Sequence, residues 1–122
     1  MGLTQGKSTF MLRQRAFIKL YLITMTEQKR LYGFKIWETL EEEFKEFGYK
    51  PQRSEIYKSL HELLDDGILK SHNVEKEGTK RQEVVVYQFK NHDEAKAYKK
   101  LLKAELDRCV GLLQKALKDN YV

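Results

Sequence analysis

Three places in the 122-residue sequence gather residue types that enzymes use, and none of them completes a site. Gly2-Leu-Thr-Gln-Gly6-Lys7-Ser8 has the glycines, lysine and hydroxyl of a phosphate-cradling loop, but it is one residue short of G-x-x-x-x-G-K-[ST] and no strand precedes it. The same tip opens Met1-Gly2 as a myristoylation signal would, with Gly6 where that signal needs Ser or Thr. His61-Glu62-Leu63-Leu64-Asp65 begins like a zinc-protease helix, yet Asp65 stands where a second histidine must lie one turn on to share the metal. Glu41, Glu42, Glu43 and Glu46 could exchange protons with a substrate, although a run of glutamates on one helix is ordinarily a solvated face. His61, His72, His92 and the single Cys109 lack metal-ligand spacing, and one cysteine cannot close an intrachain disulfide. The residues therefore predict no enzyme, no metal and no cofactor.

What remains is the chemistry of cations. Lys and Arg number 23 against 18 Asp and Glu, a net charge of +5, and 34% of residues are charged against roughly 25% in ordinary soluble domains. Such a balance hints at a polyanionic partner. The excess is uneven: residues 1–30 hold six basic and one acidic side chain, residues 31–67 five and nine, and residues 68–122 twelve and eight. No stretch approaches the ~18 apolar residues of a membrane span and the N-terminus lacks a signal-peptide core, so the sequence predicts a cytoplasmic protein without a membrane partner. The length suits one domain with a single core.

The elements that must position these cations follow from periodicity. Residues 1–9 are polar and aperiodic and are expected to form a flexible arm. From Phe10 to Met25, Phe10, Met11, Phe17, Ile18, Tyr21, Leu22 and Met25 recur at three- and four-residue steps, which predicts a helix with Arg13, Arg15 and Lys19 on its other faces. Thr26 to Arg30 breaks the pattern. A second helix runs to about Phe47 with Ile36, Trp37, Leu40, Phe44 and Phe47 inward, and Gly48 caps it. After Pro51, Ser54 is the expected N-cap of a third helix whose apolar stripe is Ile56, Leu60, Leu63 and Leu64, and Asp65-Asp66-Gly67 stops it. Residues 68–76 and 81–90 read as a β-hairpin with a charged tip, Glu77-Gly78-Thr79-Lys80.

A last helix is predicted from His92 to Asn120, about 40 Å long and longer than the rest of the domain is wide. Leu102, Leu106, Cys109, Leu113 and Ala116 step by four, three, four and three, the seam spacing of a coiled coil, widened by Leu101, Val110, Leu112 and Leu117. The pattern predicts a homodimer of two antiparallel copies about a two-fold axis; folding back of the helix on its own domain is the alternative.

Three helices and a hairpin, in that order, make a mostly helical α+β winged helix-turn-helix, in which the third helix enters the major groove of double-stranded DNA and the wing lies alongside. The expected domain spans 10–91, with 92–122 as the dimerisation helix. With Ile56, Leu60 and Leu63 inward, Ser54, Lys58 and, less squarely, Glu55 and His61 turn outward, and Gln52 and Arg53 lie just ahead of the helix, so that its N-terminal half carries groups able to meet base edges and phosphates. Attraction must come mainly from the flanks, through Arg13, Arg15, Lys19, Lys70, Lys76, Lys80, Arg81 and Lys90.

The runs Arg15-Ala-Phe-Ile-Lys-Leu-Tyr-Leu-Ile-Thr-Met-Thr-Glu-Gln28, Arg30-Leu-Tyr-Gly33 and Glu55-Ile-Tyr-Lys-Ser-Leu-His-Glu-Leu-Leu-Asp-Asp-Gly-Ile-Leu-Lys70 closely resemble the replication terminator proteins of Bacillus. Gln82-Glu-Val-Val-Val-Tyr-Gln-Phe-Lys90 and Ala104-Glu-Leu-Asp-Arg-Cys109 extend the resemblance over nearly the whole chain after residue 9. It implies a winged-helix homodimer, joined through its long last helix, that sits on the nucleoid at terminator sites and stops the replicative helicase arriving from one direction. It also implies DNA contacts at Arg13, Arg15, Lys58, Lys70 and Lys90, two dimers side by side on one site touching near Tyr87, and a helicase-facing patch at Lys29 and Tyr32. Two positions depart from the family pattern: Lys29 replaces an acidic residue, and Asn73 replaces a lysine, which implies one phosphate contact fewer. The closest rival is a transcriptional repressor of the PadR type, which shares the Leu31-Tyr-Gly33 turn, the Ile56-Tyr-Lys-Ser-Leu60 helix and a dimerising last helix. A protein-interaction module built on the long helix is a third reading.

Overall fold

The structure, a computed structural model, describes residues 10–28, 31–75 and 82–121. Four helices surround a small antiparallel sheet: α1 Gln14–Gln28, β1 Leu31–Tyr32, α2 Gly33–Phe44 followed by a 3-10 turn, α3 Arg53–Asp65, β2 Leu69–Glu75, β3 Glu83–Phe89 and α4 His92–Asn120. The fold is a winged helix-turn-helix with a long C-terminal helix. Its core is the set of apolar side chains that the sequence periodicity turns inward: Ile18 and Leu22 from α1, Ile36, Leu40 and Phe44 from α2, and Ile56, Leu60 and Leu63 from α3. The rings of Phe17, Tyr21, Phe44 and Tyr49 meet edge-on or tilted at centroid separations of 4.8–6.1 Å, which ties α1 to the end of α2.

Two glycines terminate elements by adopting the left-handed conformation that side-chain-bearing residues avoid. Gly48 has φ 71° and closes the 3-10 turn Lys45–Phe47. Gly67, at φ 75°, ends α3: its N–H donates to the Leu64 carbonyl at 3.0 Å and the Ile68 N–H to the Leu63 carbonyl at 3.0 Å, a Schellman arrangement sealed by the buried pair Leu63 and Ile68. That turn fixes where the wing starts relative to α3. Leu69 then pairs with Phe89 and the ladder runs outward to Glu75 opposite Glu83.

The expected boundaries needed several corrections. The sheet has three strands in the order β1-β3-β2 and not two, because Leu31 and Tyr32 pair with Tyr87 and Val86 along the free edge of β3. α1 begins at Gln14 and not Phe10, whose ring is exposed, and it continues through Thr26, whose hydroxyl bonds the Leu22 carbonyl at 2.8 Å. Phe47 is also exposed, since the tightening of the last turn of α2 into a 3-10 geometry rotates it off the buried stripe. Ser54 does not cap α3: the helix starts at Arg53, with Gln52 in the cap position and no side-chain cap bond, and the Gln52 carbonyl accepts from the N–H groups of Glu55 and Ile56. The expected hairpin tip lies outside the described residues.

α4 runs from His92 to Asn120 as the sequence predicts, with the Asn91 side chain accepting from the Glu94 N–H at 3.0 Å. Its two halves differ. Ala95 and Leu102 join the core beneath α1, and the Tyr98 hydroxyl donates to the Ala16 carbonyl at 3.3 Å. From Val110 to Tyr121 every residue is exposed. Among the described residues no helix is long and apolar enough to cross a membrane.

Candidate nucleic-acid interface

The outward face of α3 is built by the same periodicity that buries its other side. With Ile56, Ser59, Leu60 and Leu63 inward, the exposed residues are Arg53, Ser54, Tyr57, Lys58, His61 and Asp65, of which Ser54, Tyr57, Lys58, His61 and, at the far end, the acidic Asp65 share one face by their three- and four-residue spacing. Ser59 is fully buried and satisfied, its hydroxyl donating to the Glu55 carbonyl at 2.7 Å. Tyr57 escaped the sequence reading, which looked for charge; its position three residues after Ser54 was the available signal.

Around this face the expected cations fall into two groups. Arg13, Lys58, Lys70 and Lys90 are exposed, and Lys70 and Lys90 flank the base of the wing next to the paired Leu69 and Phe89. The Lys90 N–H donates to the Ile68 carbonyl at 2.8 Å, which holds that corner to the end of α3. Arg15 and Lys19 are instead engaged by carboxylates of α3. The Arg15 guanidinium grips Glu55 through Nε at 3.1 Å and Nη2 at 3.2 Å and reaches Glu62 through Nη1 at 2.7 Å, while Lys19 bonds Glu62. These hydrogen bonds hold the Arg15 guanidinium above its ordinary value and the Glu55 carboxyl below its own. Glu62 is lowered chiefly by Lys19 and then by Arg15. Two cations and two carboxylates make a neutral cluster that clamps α1 onto α3, so the first helix contributes less free positive charge than its composition implied. Glu55 and Glu62 were missed as partners, although both lie two turns apart on one helix face and Arg15 and Lys19 one turn apart on another.

At the start of α3, the Arg53 guanidinium lies over the Trp37 ring at 4.0 Å from its centroid, and Lys50 approaches the same ring at 6.0 Å. The ring pair borders a groove of about 430 Å³ between α2, α3 and β3, lined also by Phe34, Tyr57 and Tyr87. Tyr87 sits at the centre of the sheet, half-buried, with its hydroxyl raised by burial and by Tyr57. Tyr32 precedes α2 with its ring 5.7 Å from that of Phe34. Lys29, Lys76, Lys80 and Arg81 lie outside the described residues.

Along α4, Leu102 is fully covered and Cys109 largely so, the latter beside the segment that leads into α1: the Leu12 N–H donates to its Sγ at 3.3 Å. Both serve the chain's own packing and leave little surface for a second copy. Val110, Leu113, Ala116 and Leu117 are exposed, and Leu106 and Leu113 border an apolar groove of about 610 Å³ shared with Met11, Phe17 and Tyr49. Among the described residues no group of histidine, cysteine or carboxylate side chains could hold a metal.

Residues 9–121 match the family model described as replication terminator protein. The chain belongs to the replication terminator protein family. The replication termination proteins of Bacillus subtilis and Bacillus vallismortis are each 65% identical to it over 117 residues, covering 96% of this chain and 96% of theirs. Among solved structures, a transcriptional regulator from Thermoplasma acidophilum superposes with a TM-score of 0.67 at 20% identity, over 85% of this chain and 93% of that one. Bacillus subtilis PadR in complex with operator DNA superposes with a TM-score of 0.54 at 25% identity, over 68% of this chain and 44% of PadR. The terminator family thus shares its winged helix with transcriptional regulators.

Proposed function

We propose that this protein binds chromosomal replication terminator sites as a homodimer, two dimers to a site, and blocks the replicative helicase in one direction, without catalysis. The observation that carries the reading is the 65% identity, along 96% of both chains, to proteins named for replication termination. The exposed Ser54 and Lys58 on α3 would read the major groove, with Arg13, Lys70 and Lys90 on flanking phosphates. Lys76, Lys80 and Arg81 would extend the wing contact, and Arg15 and Lys19 would support α3 from behind and reach DNA only by leaving Glu55 and Glu62.

The free half of α4 would supply the dimer seam through Leu106, Leu113, Ala116 and Leu117, the partner's copy filling the apolar groove beside Leu106. Leu102 and Cys109 would back the seam from within each chain. Residues 10–91 would act as the DNA-binding domain, 92–122 as the dimerisation helix and 1–9 as an arm. Tyr87 would lie where neighbouring dimers meet, and Tyr32 with Lys29 would face the helicase. The protein would work on the nucleoid in the cytoplasm.

The test is strand displacement by the host replicative helicase toward the protein bound at a terminator duplex in each orientation, with a gel-shift control for occupancy. A block in one orientation is the expected result. Occupancy without a block in either would favour a transcriptional repressor, the second reading, for which the likeness to operator-bound PadR speaks.

A further inference from the structure

Arg53 is the first residue of α3 and is exposed, yet its side chain runs back onto Trp37 of α2. No ion pair holds it among the described residues, whereas Arg15 is fully occupied by carboxylates. Stacking engages the face of a guanidinium and leaves its N–H donors free around the edge, where an anion binds in the plane. Lys50 reaches the same indole, its ammonium shared with Glu41 at 3.3 Å, so two cations converge on one ring beside the helix that crosses the sugar-phosphate backbone in a helix-turn-helix complex. The direction of Arg53, back toward α2, takes its fork away from the groove floor that Ser54 and Lys58 face.

We propose that Trp37 is a positioning residue that holds the Arg53 guanidinium edge-outward to clamp one DNA phosphate at the entry of α3, a contact that sets affinity and not sequence preference. The inference rests on the DNA-binding reading above. A lysine at position 53 would keep the charge but neither stack as a plane nor present a fork.

Binding is measured by anisotropy of two labelled duplexes of equal length, a Bacillus subtilis terminator site and a scrambled sequence, across a salt series. Arg53→Gln should weaken both duplexes alike and lessen the slope of log K against log salt by about 0.9 per bound protomer. Trp37→Leu should cost roughly fivefold, with Trp37→Phe restoring most of it, and the Arg53→Gln/Trp37→Leu double variant should bind no more weakly than Arg53→Gln alone. Trp37 is the sole tryptophan, so its emission reports the stack directly: it should change when DNA binds the wild type and when Arg53→Gln alters the free protein. Arg53→Gln matching the wild type, or a loss on the terminator duplex only with the salt slope kept, would overturn the phosphate clamp. Trp37→Leu matching the wild type would overturn the positioning role. A wild type that binds both duplexes equally, with the Arg53 effects as expected, supports the clamp while sinking the terminator reading.

Discussion

At the level of single residues, the decisive feature is that α3 carries its own anions next to the cations of α1. A guanidinium held by two carboxylates can meet a phosphate only by exchanging one anion for another, so the cluster lowers the gain from contacting DNA through Arg15 and Lys19. Glu62→Gln removes the acceptor shared by both cations. Arg15 keeps Glu55, so the variant frees Lys19 and should make the salt dependence of DNA binding steeper by up to about one phosphate contact per protomer, while costing less than about 1 kcal/mol of stability because the pair is two-fifths exposed at Glu62. A salt series and a thermal melt check the two effects, and an unchanged slope would mean that Lys19 stays away from phosphates even when released. The pH dependence has a definite sign. Both carboxyls titrate below their ordinary range in the folded protein, so their contribution is complete above the unfolded carboxyl value near 4.3 and is lost as pH falls through the lower folded values. Acid melts of wild type and Glu62→Gln should therefore begin to draw together as pH falls below about 4.3 and meet once it lies under the depressed folded value.

At the level of elements, α4 divides into a buttress and an arm, and substitutions should separate them. Leu102→Ala opens a cavity in the core under α1 and should cost about 2–5 kcal/mol in unfolding of the single chain. Leu113→Asp leaves that core untouched and puts a charge into the exposed stripe, so sedimentation should show monomers that retain native circular dichroism; a dimer that survives would place the seam elsewhere. Leu106 is the less clean choice: both residues border the groove of their own chain, but Leu106 is half-buried there whereas Leu113 is exposed. How far these elements could be read from sequence depended on how local their causes are. α4 was legible in full because Asn91, acidic Asp93 and Glu94, and an unbroken proline-free run specify it locally. The buried face of α3 was legible from its spacing. β1 was not, because two residues carry no alternation and exist as a strand only through Tyr87 and Val86 far along the chain. The Arg15 cluster and the stack of Arg53 on Trp37 escaped for the same reason: each joins residues 16 to 47 positions apart that only the packing of α1, α2 and α3 brings together.

At the scale of the whole molecule, attraction to DNA must survive a segment, residues 31–67, that holds nine acidic against five basic side chains. The fold resolves this by arrangement. Glu55 and Glu62 are spent on α1 and Glu41 pairs with Lys50, while the cations Arg13, Arg53, Lys58, Lys70 and Lys90 stay exposed. If each of these meets a phosphate, a two-fold dimer makes on the order of ten such contacts, and log K should fall with log salt at a slope near −9. Lys58→Gln, present in both protomers, should lower that magnitude by about two while the dimer persists. The residue's place on α3 distinguishes it from Lys70 and Lys90. Facing the groove, Lys58→Gln should also narrow the gap between terminator and scrambled duplexes, whereas Lys70→Gln and Lys90→Gln should weaken both equally. Equal losses from all three would mean that Lys58 contacts phosphate and nothing else, and would leave Ser54, Tyr57 and His61 to read sequence. The proposed polar arrest would rest on such a division of labour: a grip strong enough to hold against an advancing helicase can come from non-selective phosphate contacts, but one asymmetric orientation at a site must come from residues that read bases or the shape of the DNA.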